Sequence, residues 1–148
     1  MTSMPGGITT SFEALKGSVW NILGQTYTLK QVSQHSMAWH AEFPPGTFVP
    51  PHIHPTQDEF VYVLSGQYTI WLDGREQLAN PGDLVRMPQG IAHGIFNKGG
   101  TTATSLFWVA PTRGLEELFK RIHGVPDPEE VVRIAAEHEV DFLPPPAE

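Results

Sequence analysis

Between residues 26 and 109 apolar and polar positions alternate in about nine short runs, at 26–32, 37–43, 48–54, 59–64, 67–72, 76–79, 83–87, 93–97 and 102–109. Side chains of an extended chain point to opposite faces in turn, so this period of two predicts half-buried strands. Asp73-Gly74 is the strongest two-residue hairpin turn in the chain, and 59–64 with 67–72 read as a further hairpin pair. Trp20 to Val32 alternates as well, with a possible turn at Gly24, and the strand proper is placed at 26–32. Pro50 and Pro51 interrupt the run at 48–54, which a strand tolerates only at an edge or a bulge. Many short strands with no helical pattern between them predict a mostly β sandwich or barrel.

Beyond Pro111 the period lengthens to that of a helix. Leu115, Leu118, Phe119 and Ile122 form one apolar stripe, Glu116, Glu117, Lys120 and Arg121 lie opposite, and Gly124 supplies the stop. A second helix is predicted from Asp127 as N-cap, Pro128 at the first helical position and Glu130 completing a capping box, ending near His138. Val140, Phe142 and Leu143 then dock a tail ahead of Pro144-Pro145-Pro146, and the two helices are expected to cover the open end or outer face of the barrel. The expected organisation is an arm at 1–18, a β-barrel at 19–111 and a helical extension at 112–148.

Composition changes the picture in three ways. The 14 glycines and 14 prolines suit many tight turns, and 148 residues can bury a real core as one domain. A net charge of −7 disfavours phosphate backbones and anionic membranes, so neither nucleic acid nor membrane is an expected partner. Without cysteine there is no thiolate ligand, disulfide or cysteine nucleophile. The first 18 residues show neither a basic segment nor an apolar one of the secretory kind, which leads to the expectation of a cytoplasmic protein.

The chemistry concentrates at 46–66 and 82–97. His52 and His54 share a face only on extended backbone, and the turn residues Pro55 to Asp58 lead to Glu59 at the head of an apolar run. A hairpin-like pairing of these two strands would set Glu59 beside both imidazoles. His93 follows the turn Pro88-Gln89-Gly90 and offers a fourth donor. Three imidazoles and a carboxylate suit a divalent iron, manganese, nickel, cobalt, copper or zinc ion, with two positions left on a six-coordinate centre. Asp58 competes with Glu59 for the carboxylate position; Glu59 is favoured because it begins the strand pattern and leaves six residues to Gly66. The bland alternative is a metal-free pocket in which the same side chains hydrogen-bond one another.

These two stretches resemble the paired motifs of the cupin superfamily. Gly46, His52, His54, Glu59 and Gly66 match the first motif, and Gly82, Pro88, Gly90, His93 and Asn97 the second. The resemblance implies a double-stranded β-helix, or jelly-roll barrel, with a divalent metal on His52, His54, Glu59 and His93, and a homodimer in which the arm lies across the partner. Within the superfamily the chain is similar to the small quercetin-dioxygenase-like members. That implies an oxidoreductase acting on a small-molecule substrate, with Glu59 both ligand and catalytic proton acceptor. A metal-assisted isomerase or a binding and sensing module is the alternative.

Several residues carry milder expectations. Gly46, Gly66, Gly82, Gly90 and Pro88 should form turns, and Asn97 should be structural. His35 and His40 could reach the pocket mouth but read as ordinary surface positions, while His123 and His138 near helix C-termini should face the dipole as partly positive rings. Tyr27, Trp39, Phe48, Trp71, Phe96, Phe107 and Trp108 are expected in the core, some lining the interior. Parity places Val61, Val63 and Ile95 on the wall nearest the metal. Arg75 and Arg86 are the main candidates for an inward basic residue; without them the pocket would be largely apolar around a polar centre.

Overall fold

A computed structural model describes residues 5–144; residues 1–4 of the arm and Pro145 and Pro146 of the terminal proline run lie outside the described residues. Among the described residues there are eleven strands, β1 (Val19–Ile22), β2 (Gln25–Val32), β3 (Met37–Phe43), β4 (Phe48–Ile53), β5 (Asp58–Ser65), β6 (Tyr68–Leu72), β7 (Arg75–Ala79), β8 (Leu84–Met87), β9 (His93–Phe96), β10 (Ala103–Ala110) and β11 (Asp141–Phe142). They form two antiparallel sheets, one in the order β1-β2-β3-β10-β5-β8 and the other β11-β4-β9-β6-β7. The chain is a mostly β jelly roll, with helices α1 (Leu115–Ile122) and α2 (Pro128–Ala136) near its end.

The alternation has the predicted consequence. In β10 every second residue is buried, and Phe107 and Val109 join Leu29, Met37, Trp39 and Phe43 in the space between the sheets. Tyr27, Trp39, Phe43, Phe107 and Phe119 pack ring against ring at centroid separations of 5.1 to 6.4 Å, distances at which offset and edge contacts add to burial.

Two pairings differ from the sequence expectation. β4 does not pair with β5, and β5 does not pair with β6: β5 lies between β10 and β8 in one sheet, while β4 and β6 flank β9 in the other. Both connections therefore cross between sheets, and Glu59 faces the histidines across the barrel instead of sitting beside them on a ladder. The Asp73-Gly74 turn does form the β6–β7 hairpin, with φ of 48° and 85° at its two central residues and Leu72 opposite Arg75, values that belong to a type I′ turn. Pro50 and Pro51 fall in the register shift between Val49 and His52, the bulge that their missing N–H groups require.

β1 extends the alternation beyond the strand placed at 26–32, pairing Trp20 with Tyr27 around Gly24. The tail after α2 adds β11 to the free edge of β4, where Phe142 lies opposite His52 and the Leu143 N–H donates to the Pro51 carbonyl at 2.9 Å. Gly66 has φ of 74°, and a Cβ there would sit 2.7 Å from the Ala103 Cα, so the turn after β5 admits no side chain.

The helices close one end of the barrel. Leu115, Leu118, Phe119 and Ile122 of α1, with Val131 and Ala135 of α2, roof a cavity of about 50 Å³. Asp127 caps α2 by accepting from the Glu129 N–H at 3.0 Å; the reciprocal half of the box does not form, because Glu130 pairs with Arg133 at 3.4 Å. The described part of the arm lies on its own barrel, with Lys30 Nζ donating to the Thr10 and Glu13 carbonyls and Lys16 meeting Glu116 at 2.6 Å. No helix among the described residues is long and apolar enough to cross a membrane.

Candidate metal centre

His52 lies near the end of β4 opposite His93 on β9, and His54 follows one residue after β4 ends. Glu59, the second residue of β5, comes from the other sheet. All four side chains are buried, and one ligand atom from each lies within 4.8 Å of all the others. Donors bound to an ion at about 2.1 Å stand roughly 3.0 Å apart when adjacent and 4.2 Å when opposite, so the set is within a small adjustment of closure. The four residues are positioned to bind a metal.

Glu59 rather than Asp58 turns inward. The Asp58 carboxylate accepts from the Gln89 N–H at 3.0 Å and ties β5 to the turn before β9, whereas Glu59 Oε1 lies 2.8 Å from His93 Nε2 and 3.4 Å from His54 Nε2. Successive strand residues must face opposite ways, so only one of the two could enter the barrel.

The second nitrogen of each imidazole decides the orientation. His52 Nδ1 donates to the Pro50 carbonyl at 2.8 Å and His54 Nδ1 to Gln57 Oε1 at 2.7 Å, whereas His93 lies 3.3 Å by Nδ1 from the Ile91 carbonyl and donates by Nε2 to Glu59 Oε1 at 2.8 Å. For His52 and His54 these acceptors fix the tautomer that leaves Nε2 for the centre, the outer hydrogen bonding characteristic of metal-ligating histidines, and a metal taking the place of the His93–Glu59 proton would leave the His93 Nδ1–H to the Ile91 carbonyl. Gln57, buried and outside the ligand set, is itself held by its amide donating to the Pro111 and Thr112 carbonyls at 3.1 and 2.7 Å. Sequence reasoning passed over this positioning role because a glutamine in a turn carries no motif.

Electrostatics prepare the same centre. Burial alone would raise the Glu59 pKa, but the imidazoles, His54 foremost and the His93 hydrogen bond next, bring it down to about 2. Burial, then the proximity of His93 and His54, pushes His52 well below the ordinary histidine value. An ionised carboxylate and a neutral imidazole are the states a metal requires.

The remaining expectations sort cleanly. Ile95 lines the cavity, while Val61 and Val63 point inward but pack in the core away from it. Tyr27, Trp39 and Phe107 are cavity wall; Phe48 is exposed and stacks on Phe96 outside, and Phe60 stacks on Trp108 on the other sheet's outer face. Trp71 is likewise only half-buried, so Phe48, Trp71, Phe96 and Trp108 are not core. Arg75 and Arg86 are exposed, and among the described residues no lysine or arginine lines the cavity. Asn97 locks the β9 exit by donating to the Phe43 and Thr101 carbonyls at 2.7 and 2.8 Å. His123 departs from expectation: its Nδ1 accepts from the Asn21 N–H at 2.9 Å, which calls for a lone pair and not a positive ring. His138 does donate, to the Ile134 carbonyl at 2.9 Å. His35 and His40 are away from the cavity.

The family description Cupin domain matches residues 39–110, the span that carries both motifs and all four donors. Residues 39–110 are a cupin domain. This cupin is 30% identical over 79 residues to the tetracenomycin polyketide synthase protein TcmJ of Streptomyces glaucescens, covering 53% of each chain. It is 40% identical over 53 residues to the quercetin 2,3-dioxygenase of Bacillus subtilis, covering 36% of this chain and 16% of that one. It thus spans about half the length of the first of these relatives and far less of the second. Among solved structures, KdgF from Halomonas sp. superposes with a TM-score of 0.66 at 21% identity, over 76% of this chain and 99% of that one. An RmlC-like cupin from Shewanella frigidimarina gives 0.61 at 20% identity, over 72% and 95%. At such identities the likeness is one of fold.

Proposed function

We propose that this cupin is a metal-dependent oxidoreductase of the dioxygenase kind, acting on a small, largely apolar or aromatic substrate that chelates through oxygen. The observation that carries the reading is the convergence of His52, His54, Glu59 and His93, the first three of which line a cavity whose other walls are almost entirely apolar. A divalent transition ion on these four residues would supply a Lewis-acidic, redox-capable centre and lower the pKa of a chelated enol or phenol.

The chain's own residues supply the rest. Glu59, ionised at neutral pH, is the carboxylate that would receive the substrate's hydroxyl proton, a transfer that its pKa of about 2 permits only where a bound metal has lowered that of the hydroxyl. Gln57 holds the His54 ring in place, and the α1–α2 roof excludes water from the reacting face. With no cation in the wall, a phosphorylated or multiply anionic substrate would be buried without compensation. In the proposed organisation residues 19–111 carry the site, 112–148 close its mouth and 1–18 form an arm, in a cytoplasmic homodimer. The similarity to the quercetin dioxygenase of Bacillus subtilis supports the oxidative reading.

A non-oxidative reading, such as a metal-assisted isomerase or a binding module, draws its support from the likeness to a polyketide synthase protein over a longer stretch of chain. Metal identity and oxygen consumption separate the two. Protein loaded with iron, manganese or nickel should consume oxygen with flavonols or other vicinal enol-carbonyl compounds. Absence of uptake with every such ion rules out dioxygenation for that substrate class.

A further inference from the structure

Among the described residues, Trp39 Nε1 is the buried side-chain polar atom left without a hydrogen-bond partner. Trp39 is 2% exposed and lines the same cavity as His52, His54 and Glu59. Its ring neighbours are Phe107 stacked at 5.5 Å, Tyr27 at 6.0 Å and Phe119 edge-on at 5.1 Å. None of these contacts offers the indole a conventional acceptor. Tyr27, the other donor in this part of the wall, has its hydroxyl directed to Gln25 Oε1 at 3.1 Å. A buried donor without a partner costs free energy in the folded protein and calls for an explanation, of which an acceptor supplied by a ligand is one.

We propose that the Trp39 indole N–H is a substrate-recognition group, receiving an acceptor oxygen of a compact, uncharged, largely apolar compound whose other two oxygens chelate the metal. The inference rests on the metal-chelating reading above and narrows its substrate class. An indole N–H donates and never accepts, so it selects a carbonyl or ether oxygen over a donor-only group. The absence of lysine and arginine from the wall makes that oxygen a neutral one and not a carboxylate or phosphate. The class is therefore a three-oxygen compound, two oxygens directed to the centre and one across the apolar space to Trp39.

The test uses two β-diketones as probes on zinc-loaded protein. Acetylacetone has two oxygens, both for the metal; triacetylmethane adds a third carbonyl. Indole Nε1–H resonances of ¹⁵N-labelled protein report the contact directly, since the chain has only four tryptophans. Triacetylmethane should move the Trp39 resonance downfield and slow its hydrogen exchange, and acetylacetone should bind without doing so. Trp39→Phe should weaken triacetylmethane about fivefold more than it weakens acetylacetone, the usual scale of one neutral hydrogen bond, and an equal effect on both probes would overturn the proposal. Should that variant fail to fold, replacing Trp20, Trp71 and Trp108 by Phe in turn assigns the wild-type Trp39 signal by elimination, and the titration alone decides. Both probes binding while the Trp39 signal stays still overturns the proposal and leaves the metal centre standing; so does an upfield resonance that no probe displaces, which would place the N–H on the Phe119 ring face. Failure of zinc or of both diketones to bind removes the metal-chelating reading, and this proposal with it.

Discussion

Gln57 gives the sharpest prediction, because one side chain there makes two separable contributions. Its carbonyl oxygen holds the His54 Nδ1–H at 2.7 Å, while its amide satisfies the carbonyls of Pro111 and Thr112 at 3.1 and 2.7 Å. Gln57→Leu keeps the approximate shape and removes both. Loss of an outer partner to a ligating histidine typically costs ten- to a hundredfold in metal affinity, about 1.4 to 2.7 kcal/mol. The stranded buried carbonyls add a stability loss of about 1 to 3 kcal/mol. Gln57→Glu restores an acceptor for His54 but turns a second oxygen towards the two carbonyls. It should keep zinc affinity within about threefold of wild type while losing stability by a similar amount. Competition with a chromophoric chelator measures the first quantity and urea unfolding of metal-stripped protein the second. Equal zinc affinity in Gln57→Leu and wild type would refute the claim that Gln57 orients His54.

Four further outcomes follow from the same geometry. Replacing His52 or His93 by Ala should lower bound metal at least tenfold with the far-ultraviolet circular dichroism unchanged; undiminished metal content would remove that residue from the ligand set. Metal-stripped protein should lose stability on acidification. The His52 pKa is depressed in the fold, so below about 6.5 the unfolded chain takes up a proton that the native one resists, and Glu59 adds a further loss as pH falls from about 4.5 to about 2. Flat stability from pH 7 to 4 would contradict the burial of His52. Deleting the chain from Leu115 onward should uncover the barrel end and reduce solubility, since Leu115, Leu118, Phe119 and Ile122 each contribute roughly 2 kcal/mol of apolar burial; sedimentation and dye binding read the exposed surface. Removing residues 1–18 should weaken the proposed dimer if the arm also reaches the partner, whereas an unaltered elution volume would confine it to the contacts it makes on its own barrel.

The cluster of four candidate donors was legible because it is local: His52 and His54 two apart, Glu59 ahead of an apolar run, and His93 after a proline-glycine turn are patterns that a short window contains. The Asp73-Gly74 hairpin and the α1 stripe were legible for the same reason. Which sheet each strand joins was not. The pairing of β4 with β9, and of β5 with β10 and β8, joins residues tens of positions apart, so hydrophobic period alone favoured the nearest neighbour. β1 and β11 were short enough to be absorbed into a loop and a tail, although the docking of Phe142 was anticipated. Aromatic type misled for Phe48, Trp71, Phe96 and Trp108, which sit on outer faces, where ring stacking covers Phe48 with Phe96 and Trp108 with Phe60. Trp39 and Gln57 show the limit from the other side. Their importance lies in a missing partner and a relayed hydrogen bond, which exist only after folding.

The most direct measurement is elemental analysis of protein purified without added metal, alongside the His93→Ala variant prepared in parallel. The account predicts close to one divalent transition ion per chain in the wild type and a tenth of that or less in the variant. Wild-type protein that carries no such ion, and acquires none on incubation with iron, manganese, nickel or zinc, would contradict it.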